Sequence, residues 1–235
     1  MTEQTSACGI LAGGGLNEAE EAGPAVLPGA SGVLDLSIGG VLDKLASDDP
    51  QWGGGSAVLL GASMGACLLA MAARISAAGA RQGKFVPPAL TADGLEDMGE
   101  ELAAQAGLLA EWAAADGALY GRVVAAQRLP KDQPEVRSAA ILEALREAIE
   151  GPLQVSRLIL DVLRRAQVLA GSCKKANFSD IASGVQLLRQ GIRGALLNVK
   201  QNCGQRECFA VFCRQADQLS QAAEEITQSV LDQCC

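Results

Sequence analysis

Seventeen residues from Ala57 to Ala73 carry no charge, and apolar or small side chains would cover every side of a helix built from them. A helix without a polar face has two stable homes: a core that surrounds it, or a bilayer. The run is dense in Gly, Ala and Ser, Arg74 follows it directly, and no other segment resembles it. These features favour a helix enclosed by neighbours over a membrane span. Aromatic residues make up only 3% of the chain, which suits helices that pack closely through small side chains. At 235 residues and 49% hydrophobic content, the chain is long enough to bury one sizeable core.

Apolar spacing and breakers set the remaining elements. Leu34, Ile38, Val41, Leu42 and Leu45 mark a short amphipathic helix ending before Pro50. A helix is expected from Ser56 to about Ala78, and a long one from about Leu95 to Arg128, broken by Leu129-Pro130-Lys131. Pro134 opens the next helix, and Gly151-Pro152 reads as the boundary between it and another that ends near Gly171. A polar connection from Cys173 to Ser179 leads into a helix reaching about Asn202, and Gln205 to Gln233 forms the last. With no convincing strand pattern, the fold class is all-α, an antiparallel helical bundle. Residues 1–32 are rich in Gly, Ala and Pro without periodicity, so a disordered tail is expected there, followed by a single helical domain over 33–235.

Absences narrow the chemistry. The chain has no histidine, which excludes serine or cysteine catalysis with a histidine base and histidine-bearing zinc sites. Acid–base work falls to Asp, Glu, Lys, Cys or Tyr120, with a carboxylate the first choice. A net charge of −8 argues against nucleic-acid binding. No basic residue precedes Lys44, whereas Glu3, Glu18, Glu20 and Glu21 do, so neither a secretory signal nor a transit peptide is read and a cytoplasmic location is expected. The eight cysteines are scattered through helical segments; Cys203, Cys208 and Cys213 advance by roughly 140° per step on one helix, so no metal site is expected from them. Cys234-Cys235 is read as a terminal thiol pair rather than a lipidation signal.

The polar residues that stand out are few. Pro50-Gln51-Trp52-Gly53-Gly54-Gly55-Ser56 puts bare backbone at a helix N-terminus, where N–H donors and a partial positive charge suit a planar or anionic group. The plain alternative is a flexible turn with Ser56 as N-cap. Asp116 lies mid-helix among Ala and Gly, a candidate acid or base if it faces inward and a solvated side chain if it faces out. Ser179 and Asp180 stand at a helix start, where either also suits a cap. Asn198 and Asn202, four apart, share a helix face, as at a polar seam or ligand cavity.

In order and spacing these features resemble the cyclodeaminase family, which comprises the C-terminal domain of formiminotransferase-cyclodeaminase and the stand-alone bacterial methenyltetrahydrofolate cyclohydrolases. The resemblance runs from about Leu34 to Leu231. It rests on Pro50-x-x-Gly53-Gly54-Gly55-Ser56, Asp116 followed by Leu129-Pro130-Lys131, Arg137, Ala148 and Pro152, Ser179-Asp180, and Ala195-Leu196-Leu197-Asn198-Val199-Lys200-Gln201-Asn202. Gln51-Trp52 departs from the pattern, standing where the family has a small residue and a second proline.

The resemblance implies a homodimeric bundle of the cyclodeaminase type that takes a tetrahydrofolate derivative as substrate, with no tightly bound cofactor and no metal. Its reactions are the hydrolysis of a methenyl bridge and the cyclisation of a 5-formimino group with loss of ammonia. Carried over to this chain, it assigns charge stabilisation and proton transfer to Asp116 and, second, to Asp180. Gly53, Gly54, Gly55 and Ser56 would line the pterin or one-carbon end through backbone donors, Asn198 and Asn202 would orient the heterocycle, Ser179 would belong to the substrate-binding set, and Lys131 would meet the glutamate tail. Lys131 equally suits a solvated position after a helix break. The reading from a different class is a non-catalytic folate-binding or structural subunit of a larger protein assembly, with Trp52 filling the pterin slot.

Overall fold

A computed structural model of the protein describes residues 35–234. The expected tail at residues 1–32 lies outside the described residues, as do Leu34 and Cys235. Six α-helices follow one another: α1 (Ile38–Leu45), α2 (Gly54–Arg81), α3 (Ala92–Gln127), α4 (Pro134–Ala170), α5 (Phe178–Cys203) and α6 (Ala210–Cys234). Single 3₁₀ turns, Lys175–Asn177 and Glu207–Phe209, precede α5 and α6, and the described residues contain no strand.

The small residues of α2 decide the architecture. Gly65 of α2 meets Gly184 of α5; a Cβ on Gly65 would lie 2.6 Å from the Gly184 carbonyl oxygen, and one on Gly184 would lie 2.9 Å from that of Gly65. Ala62 faces Gly191 and Val58 faces Gly194, so α2 and α5 run antiparallel at near-backbone contact. On its other side α2 packs along α3, joined at one end by the Arg81 ion pairs to Asp93 and Glu96, both 2.9 Å, and midway by the Ser63 hydroxyl donating to the Ala106 carbonyl at 2.8 Å. Antiparallel packing continues from α3 to α4 (Arg122–Glu147, Arg165–Glu101) and from α5 to α6 (Arg189–Glu224, Lys200–Asp217). Leu69, Leu109, Ile159, Leu163, Val185 and Ile192 belong to the single core these helices enclose.

By length and composition α2 is apolar enough to cross a membrane, and half of its most apolar window is buried within the bundle. Met64, Met71 and Ile75 stay exposed on its outer side. The expectation of a helix buried on every side is therefore met on two faces only.

Three expectations need correction. Gly151-Pro152 does not separate two helices: α4 runs through it from Pro134 to Ala170 with Pro152 inside. An interior proline removes one hydrogen bond and costs about 3 kcal/mol in isolation. Here the carbonyl of Ala148, which an ordinary residue at 152 would bond, instead accepts the Asn202 side-chain amide at 3.0 Å. Ser56 is not the N-cap of α2, which is Gly53; Ser56 lies inside the first turn and is 2% exposed. The cysteine argument assumed one continuous helix, but α5 ends at Cys203 and the chain turns at Gly204, φ +54°, so the Cys203 and Cys213 side chains come into hydrogen-bond contact.

Candidate active site

Gly53 caps α2 with extended backbone and no side chain of its own. The missing acceptor arrives from α3: the Asp116 carboxylate accepts the backbone N–H of Ser56 and occupies the space a Cβ on Gly55 would need. A carboxylate there satisfies an orphan donor and faces the positive end of the α2 dipole. The neighbouring Gly117 has a related task, because a Cβ at that position would collide with the Gln51 backbone carbonyl. The loop thus sits directly on α3. Asp49 braces it, its side chain accepting the Gln51 N–H at 3.0 Å and its carbonyl the Trp52 N–H at 3.1 Å. The Trp52 N–H used here is a donor that a proline at position 52 would lack.

Two effects act on the Asp116 carboxyl. Burial pushes its pKa up from the usual carboxylate value, and the Ser56 N–H pulls it partway back. A carboxyl held this way suits proton transfer, because its charged form is neither stabilised fully nor left exposed to bulk water.

Asp116 lines a cleft with Gly55, Trp112, Leu119, Pro152 and Asn198. Its enclosed free volume, about 10 Å³, admits roughly one water. The Asn198 amide makes no hydrogen bond with any described residue, so its donor and acceptor are both open to a ligand.

The candidates from the sequence divide into two groups. Gly55, Asp116 and Asn198 line the cleft together, Ser56 is the next residue of the same turn, and Gly53 and Gly54 are exposed beside it. The others are placed elsewhere. The Asn202 amide is committed to the Ala148 carbonyl. Lys131 is exposed in the α3–α4 turn and lines no part of the cleft. Ser179 and Asp180 open α5, whose preceding Asn177 bonds Ala72 and Ser76 of α2. At 1.5 Å per residue that is about 25 Å along α2 from Gly55, so Asp180 and Asp116 do not meet within one chain. Neither Ser179 nor Asp180 caps α5, whose N-cap is Asn177. Trp52 is half-buried but does not line the cleft; the indole that does belongs to Trp112. Trp112 was not among the sequence candidates, although its place one turn before Asp116 puts it on the same helix face.

The sequence model described as Formiminotransferase-cyclodeaminase matches residues 37–210. The chain belongs to this family. Among similar proteins, the methenyltetrahydrofolate cyclohydrolase of Methylorubrum extorquens is 32% identical over 164 residues, covering 68% of this chain and 76% of that protein. The formimidoyltransferase-cyclodeaminase of Mus musculus is 28% identical over 181 residues, 72% of this chain and 31% of the longer protein. The crystal structure of formiminotetrahydrofolate cyclodeaminase from Thermotoga maritima superposes with a TM-score of 0.71 at 21% identity, covering 86% of this chain and 98% of that one, and shows the same fold. The cyclodeaminase family match ends at residue 210, so it takes in the glycine turn, Asp116, Pro152 and both asparagines of α5 and leaves out α6 beyond its first residue.

Proposed function

We propose that this chain is a folate-dependent one-carbon enzyme whose reaction is the hydrolysis of 5,10-methenyltetrahydrofolate. The observation that carries it is the Asp116 carboxylate seated at the N-terminus of α2, beside the uncommitted amide of Asn198. The methenyl carbon is part of a cationic amidinium, and water must add to it while losing a proton. Asp116 takes that proton and returns it to N5 as the carbon–N5 bond breaks, while the hydroxyl left on the carbon gives its own proton to solvent and becomes the formyl carbonyl, so that cation and water yield neutral 10-formyltetrahydrofolate and one released proton. Its anionic form also stabilises the cation before attack. Asn198 orients the heterocycle, and the N–H groups of Gly53 and Gly54 border the open side. The cyclisation of a 5-formimino group uses the same carboxylate on the same two nitrogens, and the mouse relative's name supports it as the second reading.

The shallow cleft encloses too little of a folate to hold it alone, which supports a homodimer in which a second copy completes the wall. The chain is read as cytoplasmic, with no tightly bound cofactor and no metal. The test is the loss of methenyltetrahydrofolate absorbance on adding purified protein. Wild type is expected to accelerate it, and Asp116→Asn to be slower by about a hundredfold or more at unchanged helical content. An inert, folded wild type would overturn the reading in favour of a non-catalytic subunit.

A further inference from the structure

At the opposite end of α2 from Asp116, a second pocket of about 420 Å³ opens between the α2–α3 loop and the start of α5. That volume lies within the roughly 300–1,000 Å³ typical of small-molecule sites. Lys84, Lys174 and Lys175 line it, with Phe85, Phe178 and Pro88 supplying an apolar wall, and no carboxylate lines it. The ion pairs of the bundle use arginines and Lys200, so these three ammonium groups have no carboxylate partner among the described residues. Cys173, the remaining polar lining, stays a neutral thiol because burial pushes it up to about 11. In a chain of net charge −8, three uncompensated cations on one pocket repel one another and attract anions.

The segment that carries Lys174 and Lys175 is fixed from beneath. Asn177, 5% exposed, donates its amide to the Ala72 carbonyl at 3.2 Å and to the Ser76 hydroxyl at 3.0 Å. The same hydroxyl accepts the Lys174 backbone N–H at 3.3 Å. The Lys174 side chain ends over Gly79, where a Cβ would fall on its Nζ and Cε. A buried polar network under exposed charge is the arrangement of a preorganised site.

We propose that this pocket binds a nucleoside phosphate, with the lysines on the phosphates and the base against Phe85 and Phe178. Lysine suits phosphate as a compact charge with several donors, and an aromatic wall suits a base. The site is separate from the cleft of Asp116 and does not depend on the reaction assigned there.

The experiment is calorimetric titration of the full chain with ADP, pyrophosphate and adenosine at fixed salt. ADP is expected to saturate one site per chain, at least tenfold tighter than pyrophosphate or adenosine. Lys174→Ala and Lys175→Ala should each weaken ADP by about tenfold, and Asp116→Asn should leave it unchanged. If the Lys174 variant melts early, Lys84→Ala, from the exposed loop, reads the same charge without touching the buried network. No saturable ADP binding, pyrophosphate as tight as ADP, or lysine variants that bind like wild type would each overturn the proposal.

Discussion

Asp116 is placed so that its stability and its chemistry pull in opposite directions. Because burial raises its pKa, the native state holds the proton more tightly than the unfolded chain does, and ionisation costs folding free energy. The sign follows: the contribution of Asp116 falls as pH rises from the unfolded aspartate value, about 3.9, through the raised native value, and is level above it. Asp116→Asn keeps an acceptor for the Ser56 N–H and removes the buried charge. The variant is expected to melt no lower than wild type at pH 7, with any advantage closing below about pH 4. Melting temperatures across that range check it. A variant that melts lower at neutral pH would mean that the carboxylate's bond to Ser56 outweighs its burial. Loss of turnover with retained stability would be the signature of a residue kept for function.

At the scale of the helix, α4 and α5 share one repair. Pro152 leaves the Ala148 carbonyl without its helical partner, and Asn202 supplies a donor from the neighbouring helix. Asn202→Ala should therefore destabilise the fold by about 1–3 kcal/mol, the cost of a buried acceptor left unpaired. In a Pro152→Ala background the restored N–H bonds Ala148 directly, and the same Asn202 substitution should cost much less. A double-mutant cycle in denaturant measures the difference, and equal costs in both backgrounds would place the effect of Asn202 elsewhere. The spacing of Asn198 and Asn202 was legible as one polar face. Their division of labour, one amide on the backbone and one open at the cleft, was not, because it depends on which residue of α4 lies opposite each.

For the whole molecule, the Gly65–Gly184 contact sets how close α2 and α5 come, and the two candidate sites lie toward opposite ends of that pair. Gly184→Val inserts side chain where a Cβ already falls 2.9 Å from a backbone oxygen, so neither helix can yield without moving the other. Destabilisation of about 1–3 kcal/mol is expected by chemical denaturation, the usual cost of overpacking. A variant as stable as wild type would show that the pair tolerates separation.

Much of the fold could be read from particular residues. The uncharged run at 57–73, the breaks at Pro130 and Pro134, and the absence of strand patterning dictate a bundle of long helices, because apolar period and breakers are local properties of the chain. The glycine turn and Asp116 were legible as candidates for the same reason. Tertiary structure alone decided that Asp116 caps α2 from another helix, that Pro152 is carried inside α4, that Asp180 stands far from Asp116, and that three lysines distant in part along the chain converge on one pocket. The physical cause is common to all four: a side chain's partner across a helix interface is set by the depth and angle of packing, and those follow from small residues on both helices at once rather than from either sequence segment by itself.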